Sequence, residues 1–469
     1  MNLPQTPQAE TPALPPRRKT FLGEPRGLAF LAFTEAWERF SYYGMSGLLV
    51  LYMTKQLLLP GHVTHILGFG PFHAAIVAVF GRLTPLALAS QIYGLYSGFV
   101  YFTPVFGGFL ADRLIGRRVA VTLGAVLMSA GQIAMAFDAS FLIALVCLVL
   151  GSGLLKGNIS SQVGGLYAED DAEGRTRGFS IFSVGINVGA TTGPILCGLL
   201  AALYGWHAGF ALAGVLMLLA LVTYLAGYRY LPEGGRRQRR VHPRLRRGDA
   251  RLVVALIVVM ALTMFQSVAY YQNTNVALLW IDQHVGLDFL GLRIPVAWFN
   301  SIDPLASIVF VPPLLALWRR QRGMASEGSE LRKITEGAFI TALANAVLVV
   351  ACLASPRTPG IVPVIYDVLL GIGFLYYWPT LLALVSRAAP AALKATLMGA
   401  VFLSLFLANI TIGWLGRFYQ PFTPAGFWAL NVGIALTGGG LTLLLRARLA
   451  RILEPAPPPG DDGPVTTPG

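Results

Sequence analysis

Residues 119–137, VAVTLGAVLMSAGQIAMAF, contain no charged side chain, and neither do residues 139–155, ASFLIALVCLVLGSGLL. Each run approaches the ~20 apolar residues that a helix needs to cross a bilayer. Within lipid the backbone must satisfy its own hydrogen bonds, which favours helices over an open sheet. These two runs therefore predict an all-α, polytopic membrane protein.

The composition of the whole chain agrees with that prediction. Of its 469 residues, 55% are hydrophobic and only 12% are charged, whereas soluble domains carry roughly 25% charge. A soluble enzyme of two or three domains is thereby excluded. The net charge of +13 would suit a nucleic-acid-binding protein, but the basic residues lie in short clusters between apolar runs. We therefore expect a lipid bilayer, and no nucleic acid, as the partner of this surface.

Apolar runs of suitable length predict twelve transmembrane helices. They lie near residues 28–55, 84–110, 118–137, 139–166, 178–203, 207–230, 251–281, 296–318, 334–354, 361–386, 396–419 and 425–446. Residues 61–80 are also apolar, but their Gly, Pro and three His residues favour an external loop or a re-entrant segment. With the N-terminus in the cytoplasm, 28 of the 35 Lys and Arg residues fall on the cytoplasmic side, 5 outside and 2 within spans. This bias follows the positive-inside rule, so both termini are predicted to be cytoplasmic.

A long basic linker, residues 231–250, separates two groups of six predicted spans. The expected units are a six-helix bundle over residues 27–230 and a second over 251–450, which is the arrangement of a major facilitator transporter. Residues 1–26 form a predicted cytoplasmic tail without the apolar core of a signal peptide. Residues 451–469, rich in Pro, Gly and Asp, are predicted to be a disordered cytoplasmic tail.

The sequence has no recognisable motif for bond-making chemistry. Cys147, Cys197 and Cys352 are isolated within apolar runs, so they indicate packing rather than a disulfide frame or a metal site. There is no P-loop and no nucleophile motif. We expect no enzyme activity, no cofactor and no metal, and a proton gradient as the energy source.

A few ionisable residues within the spans are the strongest functional candidates, since each costs roughly 2.5–3.5 kcal/mol at the membrane centre. They are Glu35, Glu38 and Arg39 in span 1, Lys156 in span 4 and Asp303 in span 8, with Asp367 nearer the end of span 10. Without Asp367, which lies nearer the end of its span, three acids and two bases leave one surplus negative charge, which a single bound proton would neutralise. The alternative is a buried ion-pair network that only fixes helix packing.

The candidates of span 1 share one helix face. Glu35, Glu38, Arg39, Tyr42 and Tyr43 recur at separations of three and four residues. Such a face cannot point at lipid, and Glu35 can pair with Arg39 at i, i+4. The face is predicted to line an internal cavity.

Four motifs resemble the proton-dependent oligopeptide transporter (POT) family. Span 1 carries E-A-W-E-R-F-S-Y-Y-G at residues 35–44, which is similar to the family signature E-x-x-E-R-F-x-Y-Y-G. Three further segments are similar to other motifs of the family: the loop G-G-F-L-A-D-R-L-I-G-R-R (107–118), L-K-G-N-I-S (155–160) and F-S-I-F-S-V-G-I-N-V-G-A (179–190). The resemblance is most specific between about residues 26 and 230.

The resemblance implies roles for these residues. It assigns proton coupling and binding of the peptide carboxylate to Glu35, Glu38, Arg39 and Lys156. It implies a peptide cavity lined by Tyr42, Tyr43, Tyr96 and Asn187. It also implies a conformational latch between spans at Asp112, Arg113 and Arg117.

The second half departs from the family pattern. Phe374 stands where the family has a tenth-span Glu, and residues 270–272, Y-Y-Q, replace its F-E-Q. An acid, Asp303, appears where the family has Asn, so we expect Asp303 to balance Lys156, to take part in proton coupling and to receive a cationic substrate group. The alternative is that Asp303 only caps a broken helix. Phe374 and Trp378 are further candidates for the substrate-cavity wall.

The resemblance implies a proton-coupled symporter that imports di- or tripeptides, or peptide-like compounds, by alternating access. Two alternatives stay open: transport of a different zwitterionic or cationic metabolite, by uptake or export, and a non-transporting sensor. The high ratio of Arg to Lys and the short loops suggest a bacterial inner membrane. We expect the protein to act as a monomer.

Overall fold

The structure of the protein is a computed structural model. It describes residues 20–21, 23–168, 171–232, 249–289, 291–322 and 330–453. Most of the predicted N-terminal tail, the basic linker and the C-terminal tail lie outside the described residues. Two short antiparallel hairpins, β1 with β2 (Thr20–Phe21 and Glu24–Pro25) and β3 with β4 (Asp288–Phe289 and Leu292–Arg293), accompany the helices.

The first half of the chain contains seven of the described helices. They are α1 (Arg26–Tyr52), α2 (Phe69–Phe80), α3 (Pro85–Leu110), α4 (Arg117–Ala134), α5 (Phe141–Gly164), α6 (Ala172–Tyr204) and α7 (Trp206–Gly227). Gly205, with a positive φ of 91°, makes the abrupt turn between α6 and α7, where a residue with a Cβ would be strained.

The second half contains another seven described helices. They are α8 (Asp249–Tyr270), α9 (Val276–His284), α10 (Ile302–Arg322), α11 (Glu330–Ala354), α12 (Ile361–Ala388), α13 (Lys394–Leu415) and α14 (Pro424–Leu453). A 3-10 segment, Tyr271–Thr274, breaks the seventh predicted span between α8 and α9. Another, Val296–Ser301, precedes α10.

The predicted all-α membrane fold is confirmed. Each of the twelve predicted spans coincides with a helix or with the broken pair α8–α9. In the described chain, ten helical segments are long and apolar enough to cross a membrane. Helices α1 and α4 fall outside that group because α1 carries the charged motif and α4 begins with two arginines, yet they span 27 and 18 residues.

Residues 61–80 include the 12-residue helix α2, and their place in an external loop or a re-entrant segment stays a prediction. Twelve residues rise about 18 Å, which is short of the roughly 30 Å hydrocarbon layer. Helix α2 is therefore too short to be a thirteenth span, in agreement with the prediction of twelve.

Small residues on α6 set the position of the charged helix α1. Gly185, Gly189 and Gly193 recur every fourth residue and therefore share one face. A Cβ on Gly189 would lie 2.2 Å from the carbonyl oxygen of Ala36, and one on Gly193 would lie 2.4 Å from that of Phe40. The two backbones thus touch directly, as small residues allow between membrane helices.

The two halves are joined at the end of the bundle where α1 finishes, which we call the Lys55 end. There Lys55 Nζ lies 2.5 Å from the Asp282 carboxylate, across the halves. The Ser90 hydroxyl donates a hydrogen bond of 3.2 Å to the carbonyl of Gly413. A Cβ on Gly94 would lie 2.5 Å from a carbonyl oxygen of α13, so α3 and α13 are in backbone contact. The described conformation is closed at this end.

Candidate functional site

The charged face of α1 forms one buried ion-pair cluster, which we call the Arg39 cluster (Glu35, Glu38 and Arg39). Arg39 Nε lies 3.1 Å from Glu35 Oε1, as the i, i+4 spacing predicts, and also contacts the Glu38 carboxylate. Glu35, Glu38 and Arg39 are 4%, 0% and 7% exposed. Charges so buried are tolerated only when they are paired. One guanidinium here serves two carboxylates, so the cluster holds one surplus negative charge when all three ionise.

Lys156, on α5, lies beside the Arg39 cluster and supplies the missing positive charge. Its electrostatic neighbours are the three members of that cluster. Its ammonium lies over the faces of two tyrosines, 4.4 Å from the ring centre of Tyr42 and 5.6 Å from that of Tyr101. Such cation–π contacts hold an ammonium without a carboxylate ligand. Lys156 is therefore held within reach of the acids, while no ion pair of its own is found among the described residues.

Tyrosines form the wall around these charges. Tyr42 packs edge-on against Tyr43, with ring centres 5.2 Å apart, and Tyr96 stacks on Tyr42 at 6.5 Å. The hydroxyls of Tyr101 and Tyr271 are 3.1 Å apart and link the first half to the second. Tyr42, Tyr43 and Tyr96, which the sequence singled out, are thus brought together around Arg39 and Lys156.

Asp303 lies in the first turn of α10 and takes its hydrogen bond from the second half. The Tyr270 hydroxyl donates to its carboxylate. The Tyr270 ring stacks on Phe374, with centres 5.2 Å apart, and Phe374 stacks on Trp378 at 6.3 Å. Phe374 and Trp378 therefore belong to the same aromatic wall that positions Asp303.

The expected ion pair between Asp303 and Lys156 is not formed among the described residues. Asp303 receives its hydrogen bond from Tyr270, whereas Lys156 rests on Tyr42 and Tyr101. Both groups thus have local partners in their own surroundings, which removes the electrostatic need for a direct contact. Tyrosines can stabilise either sign of charge, since a hydroxyl donates to a carboxylate and a ring face attracts an ammonium.

Asn187 makes no hydrogen bond with the Arg39 cluster or Lys156 among the described residues. Its amide donates to the Ser183 carbonyl one turn earlier on α6, at 2.9 Å. Its side chain is half-buried. Gly189, which meets α1 at Arg39, lies two residues further on and therefore on nearly the opposite face of α6. The role of Asn187 as a cavity residue stays a prediction.

The predicted latch motif contains an ion pair between the segment that follows α3 and the first residue of α4, and its role as a conformational latch stays a prediction. The Asp112 carboxylate lies 3.1 Å from the Arg117 guanidinium, five residues further along. Arg113 lies over the ring of Phe109, 4.9 Å from its centre. Arg118 makes a further contact between spans, because it donates to the Leu231 carbonyl beyond α7.

Two residues of this site, Tyr101 and Asp367, were not among the site residues predicted from the sequence. Tyr101 carried no motif, and only its distance to Tyr271 and Lys156 reveals it. Asp367 was given little weight because of its place along span 10, yet it is only 3% exposed. The sequence does not show which residues surround Asp367, so its burial without an ionic partner could not be predicted.

Comparison with known proteins fits this arrangement. The family model described as the POT family matches residues 118–246 and 239–425, which is more than half of the chain. The chain belongs to the POT family. It is therefore a multi-pass membrane transporter with a major facilitator fold, and not an enzyme.

Several relatives of this POT-family chain have descriptive names. The peptide transporter YePEPT of Yersinia enterocolitica is 29% identical over 92% of this chain and 96% of its own length. The di-/tripeptide transporter of Lactococcus lactis subsp. lactis is 35% identical over 60% of this chain and 53% of its own. A crystal structure of a POT peptide transporter variant in complex with alafosfalin covers 93% of this chain and 97% of its own, with TM-score 0.81 and 28% identity.

Proposed function

We propose that this POT-family protein is a proton-coupled symporter that imports di- or tripeptides, or peptide-like compounds, by alternating access. The observation that carries the proposal is the Arg39 cluster. One buried guanidinium is held by two carboxylates, and Lys156 stands next to them. A cluster of this kind changes its partners when a single proton is added.

The coupling follows from competition for Arg39. While Glu35 and Glu38 are both ionised, they neutralise the guanidinium, which both of them contact at Nε. Protonation of either glutamate removes one of the two anionic partners of Arg39. The guanidinium then attracts another anion, and an Arg fork binds the carboxylate of a substrate well. Proton and substrate carboxylate therefore bind together, and each ligand shifts the inward–outward equilibrium toward the state it prefers.

Peptides are the substrates that best fit both the relatives and the wall of the site. Two relatives are named as peptide transporters, one of them for di- and tripeptides. Tyrosines on both halves offer hydroxyls and ring faces to a peptide backbone and to varied side chains. We further propose that the protein acts as a monomer in a bacterial inner membrane, with both termini cytoplasmic and the Lys55 end facing outward.

A second candidate is transport of a different zwitterionic or cationic metabolite. One observation favours it: the second half presents Phe374 and Trp378 as a stacked aromatic pair beside Asp303. A wall of this kind can accept a bulky or weakly hydrated cation by contact with ring faces. Substrate competition must therefore decide between the two.

The test is uptake of a labelled dipeptide by purified protein in liposomes, with the outside more acidic than the inside. We expect accumulation that requires the gradient and is blocked by unlabelled di- and tripeptides. A matched control is Asp288→Asn, because Asp288 lies in strand β3 with a side chain that is 70% exposed and paired with Arg357. Gradient-driven uptake of another zwitterion, without peptide uptake, would replace the proposal with the second candidate. Peptide binding without flux would indicate a sensor.

A further inference from the structure

The second half of the bundle holds two acids on helices that pack against each other, Asp303 on α10 and Asp367 on α12. Asp303 Oδ1 lies 3.0 Å from the position that a Cβ on Gly371 would occupy. Gly371 follows Asp367 by four residues and so shares its helix face, about 6 Å along the axis. The two carboxyls therefore border the same small region between α10 and α12.

Neither acid has a cationic partner among the described residues. Asp303 accepts a hydrogen bond from Tyr270, and the charged group that acts on Asp367 is Asp303. The titratable groups that face the pair from α1, α8 and α12 are tyrosines, namely Tyr43, Tyr270, Tyr366 and Tyr377. The Arg39 cluster and Lys156 already balance one another, so they leave no charge for this pair.

Two buried polar atoms between α10 and α12 lack hydrogen-bond partners among the described residues. The hydroxyl of Tyr366 is fully buried, has no hydrogen-bond partner among the described residues and interacts electrostatically with both acids. Asp303 Oδ1 is likewise buried and unpartnered. Buried polar groups are normally satisfied, because leaving them unpaired costs free energy. The region is thus built to hold a proton or a small donor.

We propose that Asp303 and Asp367 share one proton and form a second proton-binding site, separate from the Arg39 cluster. Two carboxyls in one poorly solvated site cannot both ionise at low cost, so one remains an acid while the other stays ionised. The proton comes from bulk water when an O–H bond forms on one carboxyl, and it returns there when that bond breaks. That this proton moves during transport rests on the proposed function, whereas the sharing itself does not.

Infrared titration of the purified protein tests the sharing without any transport. The carbonyl stretch of a protonated carboxylic acid is followed against pH in wild type, Asp303→Asn, Asp367→Asn and the exposed control Asp288→Asn. In each of the two site variants the remaining carboxyl has lost its anionic neighbour. We therefore expect it to release its proton at least about one pH unit lower than the pair does in wild type. The control should match wild type.

A titration that is unchanged in both site variants would overturn the proposal. Gly371→Ala is a further test that keeps both acids, because its Cβ would lie 2.9 Å from the Asp303 carbonyl oxygen and 3.0 Å from Oδ1. This substitution should push Asp303 away from Asp367, so the proton should again be released at a lower pH than in wild type. Proton release at the wild-type pH would count against sharing. If the wild-type protein takes up no peptide, the proposed function is contradicted, but the infrared test of proton sharing is unaffected.

Discussion

Gly189→Ala is the substitution by which the packing of α6 against α1 can be tested most sharply. The new Cβ would lie 2.2 Å from the Ala36 carbonyl oxygen, 2.8 Å from the Phe40 nitrogen and 2.9 Å from the Arg39 Cβ. Real contacts of this kind are rarely under 3.0 Å. The helices would therefore have to separate by roughly 1 Å, because close-packed interiors absorb little strain.

Overpacking of this kind costs about 1–3 kcal/mol, and we expect the upper end because backbone, not a flexible side chain, lies on the opposite side. Since Arg39 is one of the groups displaced, substrate affinity should fall as well. Thermal unfolding and substrate binding of the purified protein measure the two effects.

The matched control is Gly440→Ala on α14, where a Cβ meets nothing within 4 Å. Helix propensity predicts a neutral or slightly stabilising change of up to about 1 kcal/mol there. If Gly189→Ala unfolds and binds like Gly440→Ala, direct backbone contact between α6 and α1 does not position the Arg39 cluster, and the reasoning is refuted.

Two further substitutions probe the closed end and the second half. Lys55→Gln removes a partly exposed ion pair worth at most about 1 kcal/mol, so the ratio of closed to open protein should fall by up to roughly fivefold. The accessibility of a cysteine placed at the Lys55 end measures this ratio. The exchanged pair Lys55→Asp with Asp282→Lys should restore the ratio toward the wild-type value. Equal accessibility in wild type and Lys55→Gln would contradict this role. Tyr270→Phe deprives the Asp303 carboxylate of its donor and should lower the free energy of unfolding by about 1.5–3 kcal/mol. Tyr376→Phe is its control, since that ring packs on Trp318 away from the site, and equal stability of the two variants would argue against the bond to Asp303.

The sequence predicted the elements whose cause is local. Long uncharged runs such as residues 119–137 predicted the spans, because crossing lipid requires length and apolarity alone. The spacing of Glu35, Glu38 and Arg39 predicted one face and an ion pair, which the structure contains. These predictions needed only helix geometry.

Contacts between distant elements were harder to predict. The pairing of Asp303 with Lys156 was inferred from charge alone, but Tyr270, Tyr42 and Tyr101 supply each of them with a nearer partner. Aromatic residues are common in membrane spans, and their sequence positions do not tell which ring faces a charge. The direct contact of α6 with α1 likewise depends on which face of α6 is turned toward α1, and the sequence does not show that this is the face with Gly185, Gly189 and Gly193.

The central claim is that a proton on the Arg39 cluster couples the gradient to substrate movement. Its most direct test compares two modes of transport in liposomes for Glu35→Gln and Glu38→Gln: accumulation driven by a pH gradient, and exchange of labelled for unlabelled peptide without a gradient. Each variant fixes one carboxyl in a neutral form. We predict that accumulation is lost in at least one of them while exchange continues. Gradient-driven accumulation at the wild-type level in both variants would contradict the account.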